Sequence, residues 1–203
     1  MSLKPADVLE QEEKKLDPRI KRTRQLLQQA LMELMAEKSF QTITVQDIAE
    51  RATVNRVTFY AHFEDKYALL EYTIREMIKQ RLHTQVPEDA PFSRENLARL
   101  ISTICEFLGE IDHRCPPPRG QLETLMEKQI KAELYETLRR WLEGLPPGTA
   151  NGQATVEQTA MVTSWAIYGA AMQWSQQEQR ESAKDFVQQV LPLIMAGLPS
   201  TTQ

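Results

Sequence analysis

"ITVQDIAERATVNRVTFYAHFEDK", residues 43–66, decides how the rest of the chain is read. It contains two short apolar-patterned segments separated by "ATVN", a turn with neither glycine nor proline. Thr44 is followed three residues later by Asp47, a capping-box variant in which each side chain bonds the other's backbone N–H. Ile43 and Ile48 stand where a hydrophobic staple needs them, so the spacing predicts a short helix over about 45–51. The pattern then repeats. Asn55 is a favoured N-cap, Val54 and Phe59 occupy the staple positions, and a helix over about 56–62 follows. Asp65 can cap a fourth, longer helix over about 66–83 through Leu69, Leu70, Ile74, Met77 and Ile78.

Working outward, residues 1–17 lack periodicity and read as a mobile tail. Asp17 and Pro18 are a cap and a first helical residue. Ile20, Leu27, Leu31, Leu34 and Met35 then recur at three- and four-residue steps, predicting a helix that stops near 37–40. Downstream, Leu97, Leu100, Ile101, Ile104, Leu108 and Ile111 share one helical face. "CPPPRG" ends that helix, because proline cannot continue it. Leu122, Leu125, Met126, Leu134, Leu138, Trp141 and Leu142 mark another helix. After the loop "GLPPGTANG" come two more, over about 154–178 and 182–198, the latter interrupted by Pro192, which predicts a kink. No period-two pattern occurs, so the chain is expected to be all-α. The division expected is a helix-turn-helix domain over 18–64 and a second helical domain over 65–203.

Composition bounds the function. The 203 residues carry 41% hydrophobic and 26% charged residues, ordinary for a soluble globular protein. Formal net charge is −4. Residues 14–81 nevertheless hold 13 Lys+Arg against 9 Asp+Glu, so a basic segment sits in an acidic chain. The N-terminal residues are polar and of mixed charge, with no apolar leader, and no apolar run is long enough to span a membrane. Two cysteines, Cys105 and Cys115, require no disulfide framework. A cytoplasmic location is the expectation. His113 and Cys115 lie close in sequence, but no further ligands stand at metal-binding spacing, so no metal site and no cofactor are expected. No nucleophile–base order, phosphate-cradling glycine loop or paired carboxylates support an enzyme.

Two short helices joined by a brief turn, the second capped and rich in hydrogen-bonding side chains, form a helix-turn-helix pattern. A two-turn helix fits the major groove of B-DNA with its N-terminal residues toward base edges. Phe59 and Phe63, four apart, would anchor it from behind. Asn55, Arg56, Val57, Thr58, Tyr60 and His62 are then the candidates for DNA contact. Arg56 can pair with guanine or a phosphate and Val57 can meet a thymine methyl. Thr58, Tyr60, Lys66 and Thr44 are suited to donate to phosphates.

"TVQDIAERATVNRVTFYAHFEDKYALL" resembles the DNA-binding signature of the TetR (tetracycline repressor) family of transcriptional regulators. Thr44, Ile48, Ala49, Val54, Thr58, Phe59, Tyr60, His62, Phe63, Lys66 and Leu69 match its pattern at fixed spacing, over roughly residues 18–80. The resemblance implies a homodimer paired through the helices about 154–178 and 182–198, a palindromic operator in double-stranded DNA, and a small-molecule effector. It also implies that the middle helices enclose the effector and that its binding moves the recognition helices off their half-sites. Phe107, Leu108, Met126, Trp141, Trp165, Tyr168 and Met172 are the candidates for lining that pocket. Two positions depart from the family pattern. Thr53 stands where the family usually has glycine, so either Thr53 is strained, at a cost on the order of 1–3 kcal/mol, or the turn takes another shape. Val57 stands where a small residue is usual. A helical dimer that binds ligand without DNA affinity, and an enzyme built on a helical bundle, are the competing expectations.

Overall fold

The computed structural model describes residues 17–87, 89–114, 121–146 and 154–198. The expectations for the tail before residue 17, for Cys115 and for the "CPPPRG" run lie outside them. Among the described residues there are eight α-helices and no strand. They are α1 (Pro18–Glu37), α2 (Val45–Arg51), α3 (Arg56–His62), α4 (Lys66–Gln85), α5 (Arg94–Arg114), α6 (Gln121–Glu143), α7 (Val156–Ser175) and α8 (Ala183–Ala196), with a single 3-10 turn at Phe40–Thr42 between α1 and α2. The chain divides into two compact units, one ending at Thr73 and the other starting at Ile74. The sequence placed the division before α4, at 64/65; the first two turns of that helix in fact pack with the N-terminal unit, through Leu69 and Leu70.

Helix starts in the first unit follow the side chains that can replace missing backbone partners. Asp17 accepts a bond from the N–H of Arg19 at 2.8 Å, with Pro18 behind it. Thr44 and Asp47 complete the reciprocal box at the start of α2. One oxygen of Asp65 accepts from the N–H groups of Tyr67 and Ala68, each at 2.8 Å, at the start of α4. The stripe Leu27, Ala30, Leu31 and Leu34 turns α1 inward onto α2 and α3. Ile43, Ile48, Ala49, Phe59 and Phe63 complete that core. Phe59 is fully buried, so its truncation to alanine would cost about 3–5 kcal/mol and release α3.

In the second unit α6 packs along α7, and α5 packs on both α7 and α8. Leu97, Leu100, Ile101, Ile104, Cys105 and Leu108 form the inward stripe of α5, all but fully buried. Cys105 is core, as its place on the apolar face implied; burial, with the nearby Glu106 carboxylate, pushes its thiol up to about 12. Thr155 and Gln158 box the start of α7, and Ser182 caps α8 by accepting from the N–H of Asp185. The link between them is closed by two bonds: Trp174 Nε1 donates to the Glu181 carbonyl, and Arg180 Nη1 to the Ser175 carbonyl, each at 3.1 Å. Gly109 of α5 makes room for this joint, since a Cβ there would lie 3.1 Å from Arg180 Nη1 and 3.3 Å from the Trp174 ring. Pro192 lies inside α8, where it withholds a backbone donor from the turn before it. No helix of the described residues is long and apolar enough to cross a membrane.

Candidate nucleic-acid interface

The turn between α2 and α3 sets how α3 is presented. The N–H of Val54 reaches the Ala49 carbonyl at 2.9 Å, and the N–H of Thr53 the Glu50 carbonyl at 3.0 Å. This is the paired bonding of a Schellman motif, which needs its outer residue in the left-handed region. Thr53 takes that place with φ 56°, and among the described residues no other non-glycine residue has positive φ. The turn therefore keeps the geometry glycine would give, and threonine carries the strain. For a β-branched residue the left-handed region costs about 1–2 kcal/mol.

Asn55, directly after the turn, accepts a bond from the N–H of Val57 at 2.9 Å and so starts α3. Phe59 and Phe63 fix the inner face, their ring centroids 6.1 Å apart. Phe63 also lies 5.4 Å from the ring of Tyr72 on α4. Arg56, Val57, Tyr60 and Ala61 point outward. The Arg56 guanidinium lies 6.0 Å from the centre of the Tyr60 ring. Thr58 and His62 are half-buried, at the edge of this face.

Thr44 is exposed, yet its hydroxyl is engaged on both sides: it accepts from the N–H of Asp47 at 3.1 Å and donates to Asp47 Oδ2 at 2.8 Å. That carboxylate oxygen also accepts from the Thr44 N–H at 2.8 Å and from Lys38 Nζ at 2.9 Å. Held by the Thr44 N–H first, then by Lys38 and the Thr44 hydroxyl, the Asp47 carboxyl lies well below its usual range, at about 2. A phosphate contact by Thr44 would have to redirect its hydroxyl proton.

Lys66 corrects its expected role as a phosphate donor. Its ammonium donates to the carbonyls of Phe40 and Gln41, each at 3.0 Å, and of Ile43 at 2.7 Å. It also lies 4.8 Å from the centre of the Phe40 ring. Three donors meet three acceptors, so no proton remains for a phosphate. Lys66 instead ties the first residue of α4 to the connection that leads into α2.

Sequence reasoning missed a second cation. Arg24 of α1 places its guanidinium 5.7 Å from the centre of the Phe63 ring and 5.4 Å from that of Tyr72. Its buried Nε has no hydrogen-bond partner among the described residues. The neighbouring His62 imidazole is held below its usual range by burial and then by the Arg24 charge. Nothing local in the sequence marks Arg24, because its partners are 39 and 48 residues away. Arg51 likewise reaches back to Glu37 at 2.8 Å and Glu33 at 3.4 Å, fastening α2 to α1.

The pocket candidates of the second unit separate. Phe107, Leu108, Met126 and Tyr168 are buried and Met172 is half-buried. Burial, with Glu127 and Glu123 nearby, raises the Tyr168 phenol above its usual range. Trp141 is buried against Phe92, ring centroids 6.2 Å apart. Trp165 departs from the expectation of an inward pocket residue. It is 60% exposed on the outer face of α7, with Lys131 Nζ 3.6 Å from its ring centre. Among the described residues no cluster of three or more His, Cys, Asp or Glu is placed to hold a metal.

Comparison with known proteins agrees with this geometry. Residues 27–73, spanning most of α1 through the first turns of α4, match bacterial regulatory proteins of the tetR family. The chain is 39% identical over 66 residues to the uncharacterised HTH-type transcriptional regulator YxbF of Bacillus subtilis (strain 168); the match covers 32% of this chain and only 17% of that protein. It is 27% identical over 164 residues to YdeS, another uncharacterised HTH-type transcriptional regulator of the same strain, covering 75% of this chain and 77% of that one. In fold it is similar to the transcriptional regulator FadR from Bacillus subtilis in complex with stearoyl-CoA, with a TM-score of 0.56 and 22% identity over 86% of this chain and 98% of that one. A capped outward α3, its supporting turn and the matching signature thus lie together in the one stretch, residues 27–73, that is similar to the bacterial regulatory proteins of the tetR family.

Proposed function

We propose that the protein is a dimeric transcriptional regulator that binds a palindromic operator and is released from it by a small apolar effector. The observation that carries the DNA-binding part is α3 itself, a seven-residue helix capped by Asn55 and anchored by Phe59 and Phe63. It offers Arg56, Val57 and Tyr60 to solvent. Arg56 contacts a base edge or phosphate, and Tyr60 and Thr58 donate to phosphates at the groove wall. Asn55 and His62 flank them. A dimer reads successive major grooves, about 34–36 Å apart, which is why the operator is palindromic. Dimerisation is supported by the apolar side chains that α7 and α8 leave exposed: Met161, Val162, Trp165 and Leu193. Phe107, Leu108, Met126, Tyr168 and Met172 line the effector site. FadR, similar in fold, is in complex with stearoyl-CoA, a ligand of which only the acyl chain is apolar.

The test is a binding titration with duplex DNA flanking the protein's own gene at several salt concentrations. Preference for one segment, with affinity falling as salt rises, is expected. Equal, weak binding to every duplex would leave the other reading, a ligand-binding dimer without DNA affinity. Only the unusual Thr53 and Val57 favour that reading.

A further inference from the structure

The outward face of α3 is less polar than a surface reading only phosphates and base-edge hydrogen bonds would be. Val57, Tyr60 and Ala61 are spaced i, i+3 and i+4, so they share a face, and all three are exposed. Val57 is 75% exposed, the most of any large hydrophobic residue among the described residues of the N-terminal unit; Tyr60, Leu26 and Met32 reach 50%, 40% and 37%. Folding offers no reason for valine here. A β-branched side chain lowers helix propensity slightly, and this one contributes nothing to the core. The neighbouring Arg56 guanidinium lies 6.0 Å from the centre of the Tyr60 ring, and the valine side chain stays exposed. Val57 is the second residue after the cap, at the end of the helix that enters the groove first.

The major groove presents one apolar group, the C5-methyl of thymine, shared by methylated cytosine. We infer that Val57, with Ala61 beside it, is a specificity-determining contact that reads a pyrimidine C5-methyl, so that each operator half-site carries a thymine at that position. This rests on the DNA-binding reading above. It selects among base pairs by burial of a methyl group rather than by a hydrogen bond.

The experiment uses the full-length protein to select duplexes from a random pool. Each thymine of the selected sequence is then replaced singly by deoxyuridine, which lacks only the methyl. One thymine per half-site is expected to matter: its replacement weakens binding about four-fold, and in both half-sites together about fifteen-fold, the effect of one buried methyl per site. Val57→Ala is expected to bind the thymine and deoxyuridine duplexes alike. Cytosine against 5-methylcytosine at the same position should show the same dependence on Val57. Because Val57 is exposed, a thermal melt of the variant should match the parent, and the base replacement leaves the protein untouched. If no deoxyuridine replacement weakens binding, or if the effect persists in Val57→Ala, the inference is overturned. If the pool yields no enriched sequence and no salt-dependent retention, the DNA-binding reading itself fails, and the inference with it.

Discussion

Two regions of this molecule expose apolar side chains, and they do so in different company. On α3, Val57 and Tyr60 stand beside Arg56 and a capping asparagine, on a helix of only seven residues. On α7, Met161, Val162 and Trp165 follow one another along a twenty-residue helix, with Ala166 and Gly169 continuing the exposed side and Leu193 exposed on α8. A Cβ added at Gly169 would meet nothing within 4 Å. A mixed, short, capped surface suits a partner that is itself polar at its edges and apolar in places, as a DNA groove is. A longer apolar surface with small residues suits another helix, which can approach closely and exclude water. The two surfaces thus differ in composition, although each exposes large hydrophobic residues, and under the proposed function that difference matches two different partners.

The sharpest way to break that comparison is to put a charge on α7. Val162→Glu is expected to abolish dimers at micromolar concentration, because an uncompensated charge in an apolar interface costs about 3–5 kcal/mol. Sedimentation equilibrium would show a folded monomer, and operator affinity would fall with it. A variant that remains dimeric would move the interface elsewhere. The same charge change at an exposed residue outside this face should leave the dimer intact.

Next in size is Lys66→Met. Removing the ammonium takes a donor from three carbonyls, of which Phe40 keeps the Ile43 N–H and the exposed Gln41 can turn to water, so the cost is about 1–2 kcal/mol. The melting temperature should drop. DNA affinity should drop too, because the connection into α2 is no longer held. The plot of log affinity against log salt should nevertheless keep its slope, since no phosphate contact has been lost. A residue that neutralised a phosphate would lower that slope by about 1 per site. Unchanged stability with a shallower slope would restore the phosphate role.

Lys66 also shows where sequence reasoning reaches and where it stops. The helix borders of the first unit were legible because caps and staples act over three or four residues, as at Thr44–Asp47 and Asn55–Val57. The inward places of Phe59 and Phe63 were legible from their spacing. The partners of Lys66, 23 to 26 residues away, were not, nor was the stacking of Arg24 on Phe63 and Tyr72. In the second unit periodicity located the helices but could not say which side of α7 faces inward. That helix is apolar nearly all round, so Tyr168 and Trp165 look alike in sequence while one is buried and the other exposed.

A smaller effect, of opposite sign, is expected in the turn. Thr53→Gly removes the penalty of a left-handed β-branched residue, about 1–2 kcal/mol, and adds unfolded-state freedom that offsets part of it. The net gain is expected to be about 0.5–1 kcal/mol, read as a higher urea midpoint at unchanged slope. Thr53→Asn should gain a similar amount, as asparagine tolerates this region. Operator affinity should change little, because the Schellman bonds to Ala49 and Glu50 are made by the backbone. A loss of stability with glycine would show that the threonine side chain stabilises the turn by more than its strain.

The smallest expected effect is the most direct probe of the edge of the α3 surface. His62 has its folded-state value lowered from 6.5, by burial and then by Arg24. The unfolded chain therefore takes up a proton more readily than the folded one. The contribution to stability is complete above about pH 6.5 and is lost as pH falls through the folded-state value. Following the imidazole resonance in a proton titration should give a value below 6.5 in the free protein. If His62 lies at the DNA, as proposed, duplex phosphates favour its charged form. The titration should then move upward in the complex and DNA binding should strengthen modestly toward lower pH. His62→Gln should remove that pH dependence while leaving the salt slope at neutral pH unchanged. A titration that stays put when operator is added would place His62 among the residues that support α3 from behind, with Arg24, rather than among those that face the groove.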